Sequence, residues 1–155
     1  MKVFGLIGYP LGHSFSKDYF TKKFSREKIT DSIYKNFEMS SLDSFTETIK
    51  EEKNLIGLNV TIPYKENIIM YLDKVDNIAK EIGSVNVIKV IDNKLIGFNS
   101  DYLGFKISLE KWLPNRRFNA LVLGSGGSSN AICYALKNLG IITENKLKLL
   151  NDPII

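Results

Sequence analysis

The stretch LVLGSGGSSNAICYALKNLG, residues 121–140, indicates the fold class. It begins inside a short apolar run, Asn119–Leu123, which has the composition of a buried strand. A glycine-rich turn follows, and the next segment, Ser128–Leu139, has the spacing of a helix that ends at Gly140. A strand, a glycine-rich turn and a helix in this order are typical of the unit that starts a dinucleotide-binding domain.

The loop of this unit is a candidate phosphate-binding site, because backbone amide groups at a helix N-terminus can cradle a phosphate. Its candidate residues are Gly124, Ser125, Gly126, Gly127, Ser128 and Ser129. Ser129 stands where the dinucleotide fingerprint prefers a third Gly or Ala. An ordinary glycine-rich turn between a strand and a helix remains the alternative.

Strand and helix patterns alternate along the rest of the chain. Apolar runs predict strands at Lys2–Gly8, Ile33–Met39 and Leu55–Thr61, a hairpin of Ser84–Ile91 with Lys94–Phe98 across Asp92-Asn93, and a last strand at Lys146–Leu150. Helical spacing predicts helices over 17–28 (capped by Ser16), from Ser40 or Ser41 to Glu52, and over 65–75, 76–82 and 101–113. This alternation predicts an α/β fold with a mostly parallel sheet.

Composition narrows the class of protein. The 155 residues suit one domain, or a small domain and part of another, and 44% hydrophobic with 25% charged residues is typical of a globular protein. The net charge of +4 is scattered, with adjacent basic residues only at 22–23 and 116–117, which favours a solvated surface over a nucleic-acid site. One Cys and one His exclude a disulfide framework and any metal site with several such ligands. No run is long enough to span a membrane, so we expect a soluble, cytoplasmic protein.

Polar residues follow the predicted strands at the edge where ligands bind in open α/β sheets. These candidates comprise hydroxyls, an amide, an ammonium and a carboxylate: Ser14, Ser16, Thr61, Asn86, Lys65 and Asp101. Such groups suit a ligand that carries both hydroxyls and a carboxylate.

For three of these residues, the sequence also allows an ordinary structural role without any contact to a ligand. Ser16 could serve only as a helix cap, and Asp101 could cap the helix that it opens. Lys65 could be a solvated lysine in the first turn of its predicted helix, where the helix dipole disfavours a cation.

Five motifs together carry a family resemblance: GYPLGHSFSKDYF from Gly8, NVTIPYKE from Asn59, IGSVNVI from Ile82, GFNSDYLGF from Gly97, and the glycine-loop stretch quoted above. In this order and at these spacings, the sequence resembles the shikimate dehydrogenase family from Gly8 to Gly140.

The resemblance implies NADP-dependent reversible reduction of 3-dehydroshikimate to shikimate, a step of chorismate and aromatic amino acid biosynthesis. It implies that Ser14 and Ser16 hold the substrate carboxylate, and that Thr61, Asn86 and Asp101 hold its ring hydroxyls. Lys65 would be the catalytic acid and base beside Asp101, and residues 124–129 would bind the pyrophosphate of NADP(H), with no metal. The implied partner is a small-molecule substrate, with no nucleic acid or membrane, for a monomer or homodimer.

The implied organisation is a three-layer substrate-binding domain over residues 1–100, a linking helix and loop over 101–117, and a truncated Rossmann-type unit over 118–155. Val87 and Ser100 stand where the family usually has Thr. Asn151 could match the Asn of the turn that reads the cofactor 2′-phosphate, but Asp152 replaces the Arg, which predicts no clear NADP preference. The family completes its cofactor pocket with later strands that the given sequence does not contain, which predicts weak dinucleotide binding. Two alternatives therefore stand beside the dehydrogenase: a non-catalytic module that binds shikimate or quinate, and a quinate or shikimate dehydrogenase that prefers NAD.

Overall fold

The computed structural model describes residues 1–12, 14–113 and 119–145. Six strands form one sheet: β1 Lys2–Gly8, β2 Ser32–Glu38, β3 Leu55–Val60, β4 Lys74–Val75, β5 Val87–Ile91 and β6 Lys94–Phe98. Their order in the sheet is β2-β1-β3-β5-β6-β4. Strands β2 and β3 run parallel to β1, and β4 runs parallel to β6, whereas β5 is antiparallel to both of its neighbours.

Five α-helices and one 3₁₀ helix, Asn67–Tyr71, lie in the described residues. The α-helices are α1 Phe15–Arg26, α2 Phe45–Glu51, α3 Asn77–Ile82, α4 Asp101–Trp112 and α5 Gly127–Asn138. Strands β7 (Asn119–Val122) and β8 (Ile142–Asn145) flank α5 and pair in parallel as a second sheet. None of the described helices is both long and apolar enough to cross a membrane.

The six-stranded sheet separates two apolar layers, because alternate side chains of a strand point to opposite faces. Ile7 belongs to the larger cluster, where Phe45 of α2 and Ile68 of the 3₁₀ helix are fully buried. Leu6 belongs to a smaller cluster on which Phe20 of α1 packs. Helices therefore cover both faces, as the predicted three-layer α/β architecture requires.

Local turn chemistry determines the hairpin between β5 and β6 as predicted. Asp92 and Asn93 both have left-handed backbone angles, with φ of 50° and 60°. Two consecutive residues of this kind make the turn whose twist matches a β-hairpin, and Asp and Asn tolerate that conformation well.

The predicted helix over 65–75 is wrong, because backbone groups of this segment make hydrogen bonds with residues that are distant in sequence. The Lys65 carbonyl accepts a hydrogen bond from Val85 N at 2.7 Å, and Asp73 N donates to Leu95 O at 3.0 Å. The segment therefore forms a turn, the short 3₁₀ helix, and then β4 against β6.

Two helix starts also differ from the prediction. Helix α1 begins at Phe15 with Ser14 in the cap position, so Ser16 lies inside the helix and does not cap it. Helix α2 begins only at Phe45, because Met39 and Leu42 before it are buried in the core and hold that segment as a loop. The predicted strand Lys146–Leu150 lies outside the described residues.

Candidate active site

The sheet topology brings four chain segments to one edge. The carboxyl ends of β1 and β3 meet there because these strands are parallel, and β5 starts there because it is antiparallel. Two backbone hydrogen bonds join the first two segments, from Thr61 N to Ile7 O at 2.9 Å and from Tyr9 N to Ile62 O at 3.0 Å. Polar residues after β1 and β3, before β5 and after β6 thus share one edge.

Lys65, Asp101 and Asn86 form the centre of this edge. Lys65 Nζ donates to Asp101 Oδ2 at 2.7 Å, and Asn86 Nδ2 donates to Asp101 Oδ1 at 2.7 Å. Asn86 is itself fixed, because its Nδ2 also donates to Ser100 Oγ at 3.0 Å and its Oδ1 accepts from Ser100 N at 2.7 Å. Both carboxylate oxygens of Asp101 are therefore held, and the ammonium of Lys65 has a defined position.

The structure contradicts two of the alternatives from the sequence, a solvated Lys65 and an Asp101 that caps its own helix. Lys65 is not a solvated lysine, since its side chain is 15% exposed and ion-paired. Asp101 does not cap its own helix, because Asn99 does so: Asn99 Oδ1 accepts from Asp101 N at 3.0 Å and from Tyr102 N at 3.3 Å. The carboxylate of Asp101 thus remains available to Lys65.

A second group of polar side chains lies where α1 begins. The Oγ atom of Ser14 is buried and makes no hydrogen bond with any of the described residues. Ser16 lies close enough to the hydroxyl of Tyr34 to lower the pKa of that phenol. A buried, unpartnered hydroxyl is costly to leave unsatisfied, so a ligand atom is the expected partner of Ser14.

Tyr34 and Asn59 belong to this second group, and the sequence analysis missed both. Tyr34 OH donates to Asn59 Oδ1 at 2.8 Å. Burial raises the pKa of Tyr34 to about 12, against the weaker effect of the Ser16 contact. The signal for Asn59 was present, because Asn59 and Thr61 are two residues apart at the end of one strand and so point to the same side.

Thr61 lies directly beside the end of β1. A Cβ atom added to Gly8 would fall 2.4 Å from Thr61 Cγ2 and 2.9 Å from the Ile62 carbonyl oxygen. Only glycine allows this approach, so Gly8 brings the loop after β3 against the loop after β1.

The glycine-rich loop forms a turn of the kind that binds phosphate. Gly124 has a φ of 153°, and Ser129 Oγ donates to its carbonyl oxygen at 2.7 Å, which closes the loop. A Cβ atom added to Gly126 would meet nothing within 4 Å, so this side of the loop is open. The loop leads into the N-terminus of α5, where the helix dipole favours an anion. These features fit an anionic group such as a pyrophosphate.

Side-chain hydrogen bonds join this loop and α5 to the loop after β3 and to α3. Lys65 Nζ donates to Ser128 Oγ at 3.0 Å, and Asn130 Nδ2 donates to Glu66 Oε1 at 3.2 Å. Tyr134 OH donates to Glu81 Oε2 at 3.0 Å. Between the two parts lies a cleft of about 500 Å³, lined by Ile62, Pro63, Lys65, Glu66, residues 122–124, residues 126–129 and Ile132. Within residues 1–12, 14–113 and 119–145, no group of three His, Cys, Asp or Glu could hold a metal ion.

The fold and the site together define an α/β protein in which a sheet edge with polar side chains faces a glycine-rich loop of the dinucleotide-binding kind. Residues 6–88 match the family model described as the shikimate dehydrogenase substrate binding domain. The chain belongs to the shikimate dehydrogenase family, as its sequence motifs predicted.

Relatives and solved structures agree with this membership. The chain is 40% identical over 156 residues to the shikimate dehydrogenase (NADP(+)) of Methanococcus aeolicus, covering 99% of this chain and 54% of that protein. It resembles the crystal structure of shikimate dehydrogenase 1 from Peptoclostridium difficile with a TM-score of 0.83 and 35% identity, over 97% of this chain and 63% of that one. It also resembles the Thermus thermophilus shikimate 5-dehydrogenase in complex with NADP(H) and shikimate, with a TM-score of 0.82 and 30% identity, over 94% and 55% of the two chains. The chain thus spans about half the length of the curated relatives that it matches.

Proposed function

We propose that this chain carries the substrate-binding and proton-transfer machinery of an NADP-dependent shikimate dehydrogenase, which interconverts 3-dehydroshikimate and shikimate. One observation carries the proposal: Lys65 Nζ lies between the Asp101 carboxylate, at 2.7 Å, and Ser128 of the glycine loop, at 3.0 Å. An ammonium group at the junction of a substrate edge and a cofactor loop is where a carbonyl reduction needs its proton donor.

Lys65 gives its proton to the carbonyl oxygen of 3-dehydroshikimate as that oxygen becomes a hydroxyl, and takes the proton back in the reverse direction. Asp101 holds Lys65 in place through its charge-assisted hydrogen bond. Both groups are fixed by neighbours before any ligand binds, so proton transfer needs little rearrangement of the protein.

The remaining candidates bind the substrate. Ser14 and Ser16 take its carboxylate at the N-terminus of α1, where the helix dipole favours an anion. Thr61 takes a ring hydroxyl. Asn86 takes another only by releasing Ser100, because both of its amide hydrogens are already donated within the protein.

The cofactor NADP(H) supplies or accepts the hydride when bound in the cleft, with its pyrophosphate at residues 124–129. The loop fits this role through its open side at Gly126 and its position at the N-terminus of α5, where the helix dipole favours an anion. The preference for NADP over NAD rests on the names of the relatives, since Asn151 and Asp152 lie outside the described residues and their predicted effect stays untested.

The proposal divides the chain into a substrate domain over 1–100, a linking helix and loop over 101–117, and a cofactor unit over 118–155. The described sheets follow this division, with β1 to β6 in the first part and β7 and β8 in the last. The cytoplasmic location and the choice between monomer and homodimer stay predictions.

Calorimetry with shikimate and an assay of shikimate-dependent NADPH formation test the proposal on the purified chain. We expect shikimate to bind, with Lys65→Met lowering turnover roughly 10²–10⁴-fold and the exposed Lys94→Met leaving binding and turnover unchanged. Binding without turnover in the unmodified chain supports the non-catalytic binding module instead. A preference for quinate with NAD supports the dehydrogenase that prefers NAD. The absence of heat at millimolar shikimate or quinate contradicts both alternatives and the proposed function.

A further inference from the structure

We propose that Tyr34 is a positioning residue of the carboxylate subsite, and that it acts by fixing the side-chain amide of Asn59. This inference rests on the proposed function, because it takes Asn59 as a donor to the substrate carboxylate beside Ser14 and Ser16. Tyr34 itself does not touch the substrate.

The ring of Tyr34 is held rigidly. Tyr34 is 6% exposed and belongs to the core cluster with Leu6 and Leu11. Its ring stacks on Phe20 of α1, with 4.6 Å between the ring centres and an angle of 10° between the planes. The phenol oxygen therefore has one position, set by packing between β2 and α1.

From that position the hydroxyl links two residues of the site. It donates its hydrogen to Asn59 Oδ1 at 2.8 Å and lies near Ser16, which lowers the pKa of the phenol. A phenol has one hydrogen to donate, so the bond to Asn59 uses it.

The bond to Oδ1 determines what Asn59 can offer. When the carbonyl oxygen of the amide points to Tyr34, the Nδ2 group points the other way, and the described residues give it no acceptor. Its two hydrogens are thus available on the side of β3 shared with Thr61. Amide hydrogens on a carboxylate make charge-assisted bonds, which are stronger than neutral ones.

The test is a double-mutant cycle with Tyr34→Phe and Asn59→Ala, read as the Kd for shikimate by calorimetry. We expect Tyr34→Phe to weaken binding about tenfold, the size of one hydrogen bond, and to have no further effect when Asn59 is already Ala. Binding of the methyl ester of shikimate should respond less, because a neutral ester accepts weaker hydrogen bonds than a carboxylate.

Tyr64→Phe is the matched control. Tyr64 is also 6% exposed and donates its hydroxyl hydrogen to the Met39 carbonyl oxygen, but it lies in the core on the opposite face of the sheet. We expect Tyr64→Phe to leave the Kd for shikimate within twofold of the parent. An equal loss of affinity in the Asn59→Ala background, or an equal loss for the ester, would show that Tyr34 has only a structural role and overturn the proposal.

The orientation of Asn59 can be measured without any ligand, which separates this proposal from the proposed function. The Nδ2 resonances of Asn59 should report a fixed amide in the parent protein and a mobile one in Tyr34→Phe. If shikimate fails to bind and these resonances still respond, the proposed function fails but the positioning by Tyr34 holds. Unchanged resonances in Tyr34→Phe contradict the positioning itself.

Discussion

Gly127 at the start of α5 is in direct contact with Ser84, which is fully buried just before β5. A Cβ atom added to Gly127 would fall 2.5 Å from Ser84 Oγ and 2.8 Å from Lys65 Cβ. Real Cβ atoms do not approach other atoms so closely, and Lys65 Cβ cannot move without its backbone. The absence of a side chain at residue 127 therefore sets how closely the glycine loop approaches Lys65.

Gly127→Ala should separate the loop from the substrate edge. We expect a loss of about 1–3 kcal/mol in the free energy of unfolding from overpacking, measured by urea denaturation. Gly126→Ala is the matched control, because its added Cβ meets nothing within 4 Å and its φ of −90° suits alanine. Equal stability of the two variants would show that Ser84 and Lys65 move to accept a Cβ atom at residue 127 without a loss in the free energy of unfolding.

Lys65→Met should act on turnover far more than on substrate affinity. Loss of a proton-transfer group costs roughly 10²–10⁴-fold in kcat, whereas loss of a binding contact alone appears mainly in KM. Steady-state rates of shikimate oxidation by the unmodified chain, Lys65→Met and Lys94→Met measure this. A normal kcat in Lys65→Met would remove Lys65 from the chemistry and leave Asp101 as the candidate base.

Asn99→Ala should destabilise the protein although Asn99 belongs to no proposed catalytic step. Its side chain caps α4 and also donates to the Ser84 carbonyl oxygen at 2.9 Å, so alanine leaves three buried or part-buried groups without partners. We expect a loss of about 2 kcal/mol in urea denaturation. The exposed Asn36→Ala should change stability by less than about 0.5 kcal/mol, and a similar small change for Asn99 would contradict the capping role.

The raised pKa of Tyr34 predicts a loss of stability in alkaline solution. Burial places the folded-state pKa at about 12, above the unfolded value of about 10. Below about pH 10 the phenol is protonated in both states, and its contribution is fully present; as pH rises toward 12, only the unfolded state releases the proton, so stability falls.

Tyr34→Phe lacks this proton and should lose less stability over the same range. The difference in unfolding free energy between the parent and Tyr34→Phe should therefore shrink by about 2 kcal/mol between about pH 9 and about pH 12. Because the other tyrosines are common to both proteins, their ionisation cancels in the comparison. A constant difference across this range would mean that Tyr34 ionises at its ordinary pKa.

Local chemistry explains why much of the fold could be predicted. The Asp92-Asn93 turn and the start of α3, where Asp76 accepts a hydrogen bond from Ile78 N, depend on residues a few positions apart. The helix predicted over 65–75 does not form, because Val85 and Leu95, which are distant in sequence, make hydrogen bonds with backbone groups of that segment.

The site shows the same division between local and distant information. Motifs predicted Lys65 and Asp101, and the structure brings these residues, 36 positions apart, to 2.7 Å. Asn59 was missed because an amide inside a strand pattern looks like an ordinary polar position. Its partner Tyr34 lies 25 positions earlier, in a strand pattern where a tyrosine is expected to be a core residue.

The hairpin turn at Asp92 and Asn93 has a practical use. Strand β5 starts beside the site and runs away from it over five residues, so the turn lies roughly 15–20 Å from Asn86. Both turn residues are exposed. A biotinylated tag inserted between them would attach the protein to a sensor surface with its cleft facing the solution, and binding of small ligands could then be followed on the immobilised chain.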